Sequence, residues 1–309
     1  MVSKKIRDNM IYVFLAVFFI GACGVSENFR TMSNIMNLFS QSSIIGVLAI
    51  GQTIVLITGG FDLSHGSFLA LVSVLVAILI PVSAAGAFGA AAASLLVLGL
   101  VNAFFVNRGI SPFVVTLGMQ GIARTLALWI SGENSVNISW QPINAIAYGT
   151  ILGIPCCVLI WLILTVAFTL VLNHTATGRH IYAIGGSSES SRLSGIHVEH
   201  VRYTAYAISA VCAFVAGVIY VSRLGVGLPD KAVGYEMDSI ACAIIGGTSL
   251  FGGVGKLSDT FAGVLIYGII TNILNLMGVS SYWQKVVKGL IILVAVYFNT
   301  RAGRKREVK

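Results

Sequence analysis

The chain reads as long apolar runs separated by short polar connections. A helix crossing the roughly 30 Å hydrocarbon layer of a membrane at about 1.5 Å per residue needs about 20 mostly apolar residues. That window finds ten runs: Met10–Val25, Ile44–Thr58, Ser67–Ala84, Gly86–Val106, Pro112–Ile130, Thr150–Leu172, Thr204–Ser222, Ser239–Gly253, Thr260–Met277 and Tyr282–Phe298. Only a helix satisfies its own backbone hydrogen bonds in lipid, so each run is predicted helical. Glycine-rich segments break or closely join the second, third and eighth. The expectation is an all-α polytopic membrane protein with about ten transmembrane helices, residues 1–309 forming a single transmembrane domain.

Composition removes the soluble alternative. Of 309 residues 57% are hydrophobic and 10% charged, where a soluble domain has about half and about a quarter. Too little charge is present to coat a soluble fold, and disorder requires the opposite balance. The net charge of +8 would suit nucleic acid, but the basic residues form no patch with interleaved aromatics, which argues against that partner. They mark topology instead, because Lys and Arg in short connections stay in the cytoplasm. With ten spans one side collects Lys4, Lys5, Arg7, Arg108, Arg179, Arg192, Arg202, Lys256, Arg301, Arg304, Lys305, Arg306 and Lys309, 13 of the 19 basic residues. Both termini are therefore expected in the cytoplasm, with the chain in a bacterial inner (plasma) membrane.

Several chemistries find no support. Ile20-Gly21-Ala22-Cys23 has the small-residue pattern of a lipoprotein signal, but nine more apolar runs follow, so an uncleaved first helix is expected. The five cysteines, Cys23, Cys156, Cys157, Cys212 and Cys242, lie in apolar runs without CxxC spacing and read as buried thiols. His197 and His200 could share a helical face, but no third metal ligand is evident. Gly252 to Asp259, GGVGKLSD, fails as a phosphate loop because Leu257 follows Lys256 where Ser or Thr should hold magnesium. No GxSxG, HExxH or paired-carboxylate helix supplies a nucleophile or base. Neither an ATPase site nor a cofactor is expected.

A charge at mid-bilayer costs at least about 2.5 kcal/mol, so ionisable residues in spans mark ion-coupled carriers. Here Asp62 sits at a glycine break, where a helix-capping role is expected, while Arg124 and Lys288 lie within the fifth and tenth runs. No intramembrane Asp or Glu relay is visible, which points to an external energy source. Glu236 and Asp238 fall in the outer connection Leu224 to Asp238 and read, with Glu133 and Trp140 in Ser131 to Tyr148, as polar rims.

The longest inner connection, Asn173 to Tyr203, carries four histidines, Arg179, Glu189, Arg192, Glu199 and Arg202. Ser187 and Ser188 can cap a short helix through Leu193 and Gly195 can end it. A short amphipathic helix between two spans suits docking of a cytoplasmic partner. Two glycine-broken segments recur, TGGFDLSHGSFLALVSVL at Thr58 to Leu75 and AIIGGTSLFGGVGKLSDTFAGVLIYGII at Ala243 to Ile270, with echoes VNAFFVNRGIS at Val101 and TNILNLMGVSS at Thr271. Such pairing suggests an internal duplication and points toward a transport path. Gln52, Asn102, Gln120 and Asn272, uncharged and near the bends, are the candidate lining; a lone Asn or Gln in a span also commonly bonds a neighbouring helix.

With GGFDLSHGSFLAL, TGRHIYAIGGSSESSRLSGI and GYEMDSIACAIIGGTSLFGGVGKLSDTFAG followed by GVSSYWQKVVKGLIILVAV, the chain resembles the permease subunits of ribose-type (simple-sugar) ABC importers over nearly its whole length. It departs at His65, where such permeases often have Val or another apolar residue, and at Phe61, commonly Ile. The resemblance implies a single permease domain over 1–309 that pairs with a second permease subunit, itself or a sibling. It also implies two cytoplasmic ATP-binding cassette subunits and a periplasmic solute-binding protein as partners. Gly186, Glu189, Arg192, Leu193, Ser194 and Gly195 would then form the ATPase-coupling segment, whose helix-end hydrogen bonds and charge pair turn ATP-driven closure into a tilt of the spans. A self-sufficient secondary transporter of a small polar solute is the alternative.

Overall fold

The computed structural model describes residues 10–307, so Lys4, Lys5, Arg7 and Lys309, read above as cytoplasmic, lie outside the described residues. Within them the chain is mostly helical: α1 Met10–Val25, α2 Met32–Ile57, α3 His65–Leu79, α4 Ala84–Asn107, α5 Pro112–Ser131, α6 Asn144–Tyr148, α7 Cys156–His174, α8 Ala176–Gly186, α9 Ser188–Leu193, α10 Val198–Leu224, α11 Tyr235–Ile245, α12 Leu257–Leu276 and α13 Ser281–Glu307. Two antiparallel pairs of two-residue strands, β1 Val136–Asn137 with β4 Val226–Gly227 and β2 Thr150–Ile151 with β3 Ile154–Pro155, are confined to loops. Helices α2, α4, α5, α7, α10 and α12 are long and apolar enough to cross a membrane, and α1 and α3 are shorter apolar helices. The protein is an all-α membrane protein.

The predicted runs shift where local chemistry overrides hydropathy. Helix α2 begins twelve residues before Ile44, at Met32, because the Thr31 side chain accepts from the Asn34 amide and caps a first turn too polar to register as apolar. Pro155 precedes the first residue of α7, so the run from Thr150 opens as a hairpin instead of helix. The run at Ser239 loses its second half: α11 stops at Ile245, where Gly246 and Gly247 end it.

Helices α2 and α10 form the centre. In its most apolar stretch 89% of α2 and 67% of α10 is buried, against 33%, 22% and 28% for α4, α5 and α7. The peripheral helices thus turn apolar side chains such as Phe104, Ile122, Trp129 and Ile163 outward, as a lipid-facing surface requires. Small residues bring the central helices together: a Cβ at Gly51 would press on the Ser209 backbone at 2.9 Å, and one at Gly217 on Val72 at 2.7 Å. The fully buried Trp161 of α7 stacks on Phe261 of α12 with ring centroids 4.4 Å apart and lies against Gly46 of α2.

The bundle has two distinguishable ends. One gathers the end of α2, the α4–α5 turn, α8, α9 and the loop between α11 and α12; Gly253 N donates to the Ile57 carbonyl (2.8 Å) and Tyr182 OH to the Gly255 carbonyl (2.7 Å). The other gathers the strands, α6 and the turn before α11, where the Tyr148 hydroxyl donates to the Arg223 carbonyl (2.7 Å).

Candidate functional site

The segment after α8 is built by local capping. The Ser187 side chain accepts from the Ser190 amide (3.2 Å) and starts α9. Gly195, at φ +83°, ends it: its amide donates to the Arg192 carbonyl (3.0 Å) while Ile196 N donates to the Ser191 carbonyl (3.0 Å), the paired bonds of a Schellman cap. All six expected residues, Gly186, Glu189, Arg192, Leu193, Ser194 and Gly195, are exposed, with Leu193 at 85%. The charge pair differs from a Glu189–Arg192 contact within the helix. Arg192 binds Glu199 in the first turn of α10, and Arg202 Nη2 reaches the Ser188 hydroxyl at 3.3 Å, so α10 holds α9 from outside it.

This segment rests on a glycine junction that the sequence does not announce. A Cβ on Gly185 would overlap the Ile57 carbonyl oxygen and come within 2.5 Å of the Gly253 amide nitrogen; one on Gly252 would lie 2.7 Å from the Gly185 carbonyl oxygen. Three backbones therefore meet directly: the end of α2, the end of α8 and the loop after α11. Beside them Tyr182 bonds the Gly255 carbonyl, and burial, then the nearby Asp259 carboxylate, raise its pKa and keep it a neutral donor. The two glycine-broken segments also end their helices alike. Gly59 and Gly247 adopt φ +80° and +82°; Gly60 N bonds the Val55 carbonyl, and Thr248 N bonds the Ala243 carbonyl.

Deeper in the bundle lies a buried polar network. Asp62 accepts from the Ser64 amide (3.0 Å) and hydroxyl just before α3, and from the Ser209 hydroxyl of α10 (2.7 Å). It does not cap α3, whose N-cap is Ser64 without a side-chain cap bond; it ties the turn before α3 to α10 instead. His65 lies 3.7 Å from Asp62 and hydrogen-bonds Ser209 (2.8 Å) and Ser239 of α11 (3.3 Å). Asp62, Ser64, His65, Ser209 and Ser239 are all at most 1% exposed.

Glu236 and Asp238 correct the sequence reading. They are no solvated rim: both occupy the first turn of α11 and are buried. Glu236 Oε1 accepts from Gln120 Nε2 of α5 (3.2 Å) and from Gly234 N (3.1 Å); Asp238 pairs with Lys288 of α13 (3.0 Å) and takes the Tyr267 hydroxyl of α12. Each has a partner far along the chain, which is why local sequence does not reveal its burial, and Glu236 Oε2 is left buried without a hydrogen bond. The bundle interior is consequently richer in acids than the spans suggested.

The four expected path residues do not converge. Gln52 is fully buried in α2, with neither side-chain atom hydrogen-bonded. Asn102 of α4 donates to the Ser64 hydroxyl (3.4 Å), Gln120 binds Glu236, and Asn272 of α12 exchanges two 3.0 Å bonds with Asn34 of α2. The largest cavity described, about 730 Å³, lies elsewhere, between α7, α8 and the loop leading into α12, and is lined by Asn173, Tyr182, Lys256 and Asp259 among others. A cavity of about 80 Å³ adjoins the Asp238–Lys288 pair, lined also by Gln41, Ser42 and Tyr267. Among the described residues no group of His, Cys, Asp and Glu could hold a metal ion, and His197 and His200 pack ring to ring at 5.5 Å.

Residues 34–296 match the family described as branched-chain amino acid transport system / permease component. The ribose import permease protein RbsC of Escherichia coli strain K12 is 39% identical over 291 residues, covering 90% of this chain and 88% of the relative. The D-allose transport system permease protein AlsC of the same organism is 39% identical over 275 residues (87% and 84%). The L-arabinose transport system permease protein AraH there is 37% identical over 294 residues (94% and 89%). No solved structure matches. The matched range 34–296 includes the glycine junction and the capped segment, and the chain belongs to the permease family of ABC sugar importers.

Proposed function

We propose that this chain is the transmembrane subunit of an ATP-driven importer that passes a sugar or sugar-like solute from a periplasmic binding protein across the bacterial inner membrane. Separate ATP-binding cassette subunits drive it, and it works paired with a second permease subunit, another copy or a sibling. The observation that carries the reading is the exposed, doubly capped α9 standing on the glycine junction. A rigid, charged, exposed helix is what an ATPase cleft can grip, and direct backbone contact can pass its displacement to α2 and to the loop after α11. In this reading the end bearing α9 is cytoplasmic. Arg108, Arg179, Arg192, Arg202 and Lys256 in its connections support that orientation, as well as ten crossings with both termini inside.

Gln52, Asn102, Gln120 and Asn272 remain the proposed path residues for a conformation in which the helices separate, since three of them bond neighbouring helices here. Alternating access through a tilt of packed helices supplies such a separation.

A second reading draws on the buried Asp62–His65 pair, because ionisable residues inside a bundle also build proton relays. One reconstitution separates the two. Vesicles holding the permease, the ATPase subunits and the binding protein are expected to take up sugar only with internal ATP on the cytoplasmic face of the protein. Uptake that survives without ATP and collapses with a protonophore would replace the first reading by the second.

A further inference from the structure

We propose that α11 and the loops at its two ends act as one lever that carries the state of the outer face to the coupling segment, with Arg124 positioning its outer end. The inference rests on the importer reading and adds a transmission element to it. Helix α11 has eleven residues and is about 16 Å long, too short to cross the hydrocarbon layer alone. Left-handed glycines stand at both ends, Gly234 at φ +96° and Gly247 at φ +82°, so a stiff rod lies between two joints. Helix α10, which is tied to α9, lies at the centre of the bundle, while α11 is held along its sides by His65, Tyr267 and Lys288, so it moves with its neighbours as one unit.

The outer joint is held by α5. Arg124 donates from Nη1 to the carbonyl of Pro229 (2.8 Å) and to that of Lys231, and Gln120, one turn earlier on the same face, binds Glu236 in the first turn of α11. A guanidinium within a span is costly, and here its hydrogen bonds go to this turn. The turn is strained: Ala232 takes φ +60° without being glycine. Its tip presents the Asp230–Lys231 pair to solvent, more than half exposed on both side chains. The inner joint leads into Gly252 and Gly253, which sit against Gly185 one residue before the coupling segment begins. Tyr182 fastens the same loop through the Gly255 carbonyl. Pressure on the outer turn therefore has a continuous route of rod and backbone contact to α9.

The test uses vesicles containing the permease, its ATPase subunits and the binding protein, with D-ribose, D-allose and L-arabinose each offered as probe. Basal ATP hydrolysis, hydrolysis stimulated by loaded binding protein, and retention of the ATPase subunits are measured. Arg124→Gln is expected to lower stimulated hydrolysis at least 10-fold while basal hydrolysis and ATPase retention stay at the wild-type level. Arg124→Lys, which can still reach one carbonyl, is expected to recover part of the stimulation. Tyr182→Phe, which loosens the inner joint without adding bulk, is expected to lower stimulation about 3-fold. Unchanged stimulation in Arg124→Gln, or a parallel fall of basal and stimulated rates in both Arg124 variants, would overturn the lever while leaving the importer intact. Wild-type protein that retains no ATPase and shows no stimulation with any of the three sugars would overturn the importer reading and the lever with it.

Discussion

The proposed coupling segment and the Asp62–His65 network use the same kinds of residue, serines and ionisable side chains, to opposite ends. In α9 the bonds are short-range caps plus the Arg192–Glu199 and Arg202–Ser188 tethers, and the six proposed contact residues face solvent. In the network the partners come from α3, α10, α11 and the turn after α2, and no member is more than 1% exposed. The difference separates binding from folding. A polar group that water can replace costs little to remove, whereas one that only its partner satisfies leaves that partner stranded.

Substitutions can break this contrast, and the largest effect is expected in the network. Asp62→Ala removes the acceptor of the Ser64 amide and hydroxyl and of the Ser209 hydroxyl. It should destabilise the fold by about 1–3 kcal/mol, seen as a clear drop in melting temperature of the purified protein in detergent. A fall under about 1 kcal/mol would show that water enters the bundle there. Removing the Ser187 cap is intermediate: Ser187→Ala should cost about 1 kcal/mol locally and raise amide exchange within α9 while leaving α10 protected. Asn272→Leu loses the reciprocal bonds to Asn34 and is expected to cost about 0.6 kcal/mol, measured in the same melting experiment. The smallest effect on the fold comes from Arg192→Glu. Being exposed, it should change stability by no more than about 0.5 kcal/mol yet abolish co-purification with the ATPase subunits. Undiminished co-purification would remove Arg192 from the coupling role.

The contrast also explains what could be read from the sequence. Helix α9 was legible to the residue, from Ser187 at its start to Gly195 past its end, because caps are local and their partners sit three or four positions away. The apolar runs located the helices for the same reason, with the shifts at α2, α7 and α11 described above. Glu236 and Asp238 were not legible as buried groups, since their partners Gln120 and Lys288 lie 116 and 50 positions away. Gly185, paired with Gly186 in the sequence, carries no signal of what it meets: it lies inside a short helix with an ordinary φ, and only the approach of Ile57 and Gly253 forbids a side chain. The start of α2 was misplaced because Ser33, Asn34 and Asn37 dilute its hydropathy while Thr31 caps it.

The shortness of α11 bears on how the protein is made. A segment of eleven residues carrying Glu236 and Asp238 in its first turn is too short and too acidic at one end to be a good substrate for independent insertion. Gln120 emerges from the ribosome well before Glu236, but Lys288, the counter-charge of Asp238, emerges fifty residues after it. Helix α11 is therefore expected to wait at the membrane surface until α13 has been synthesised, and to enter last, with its partners already in place.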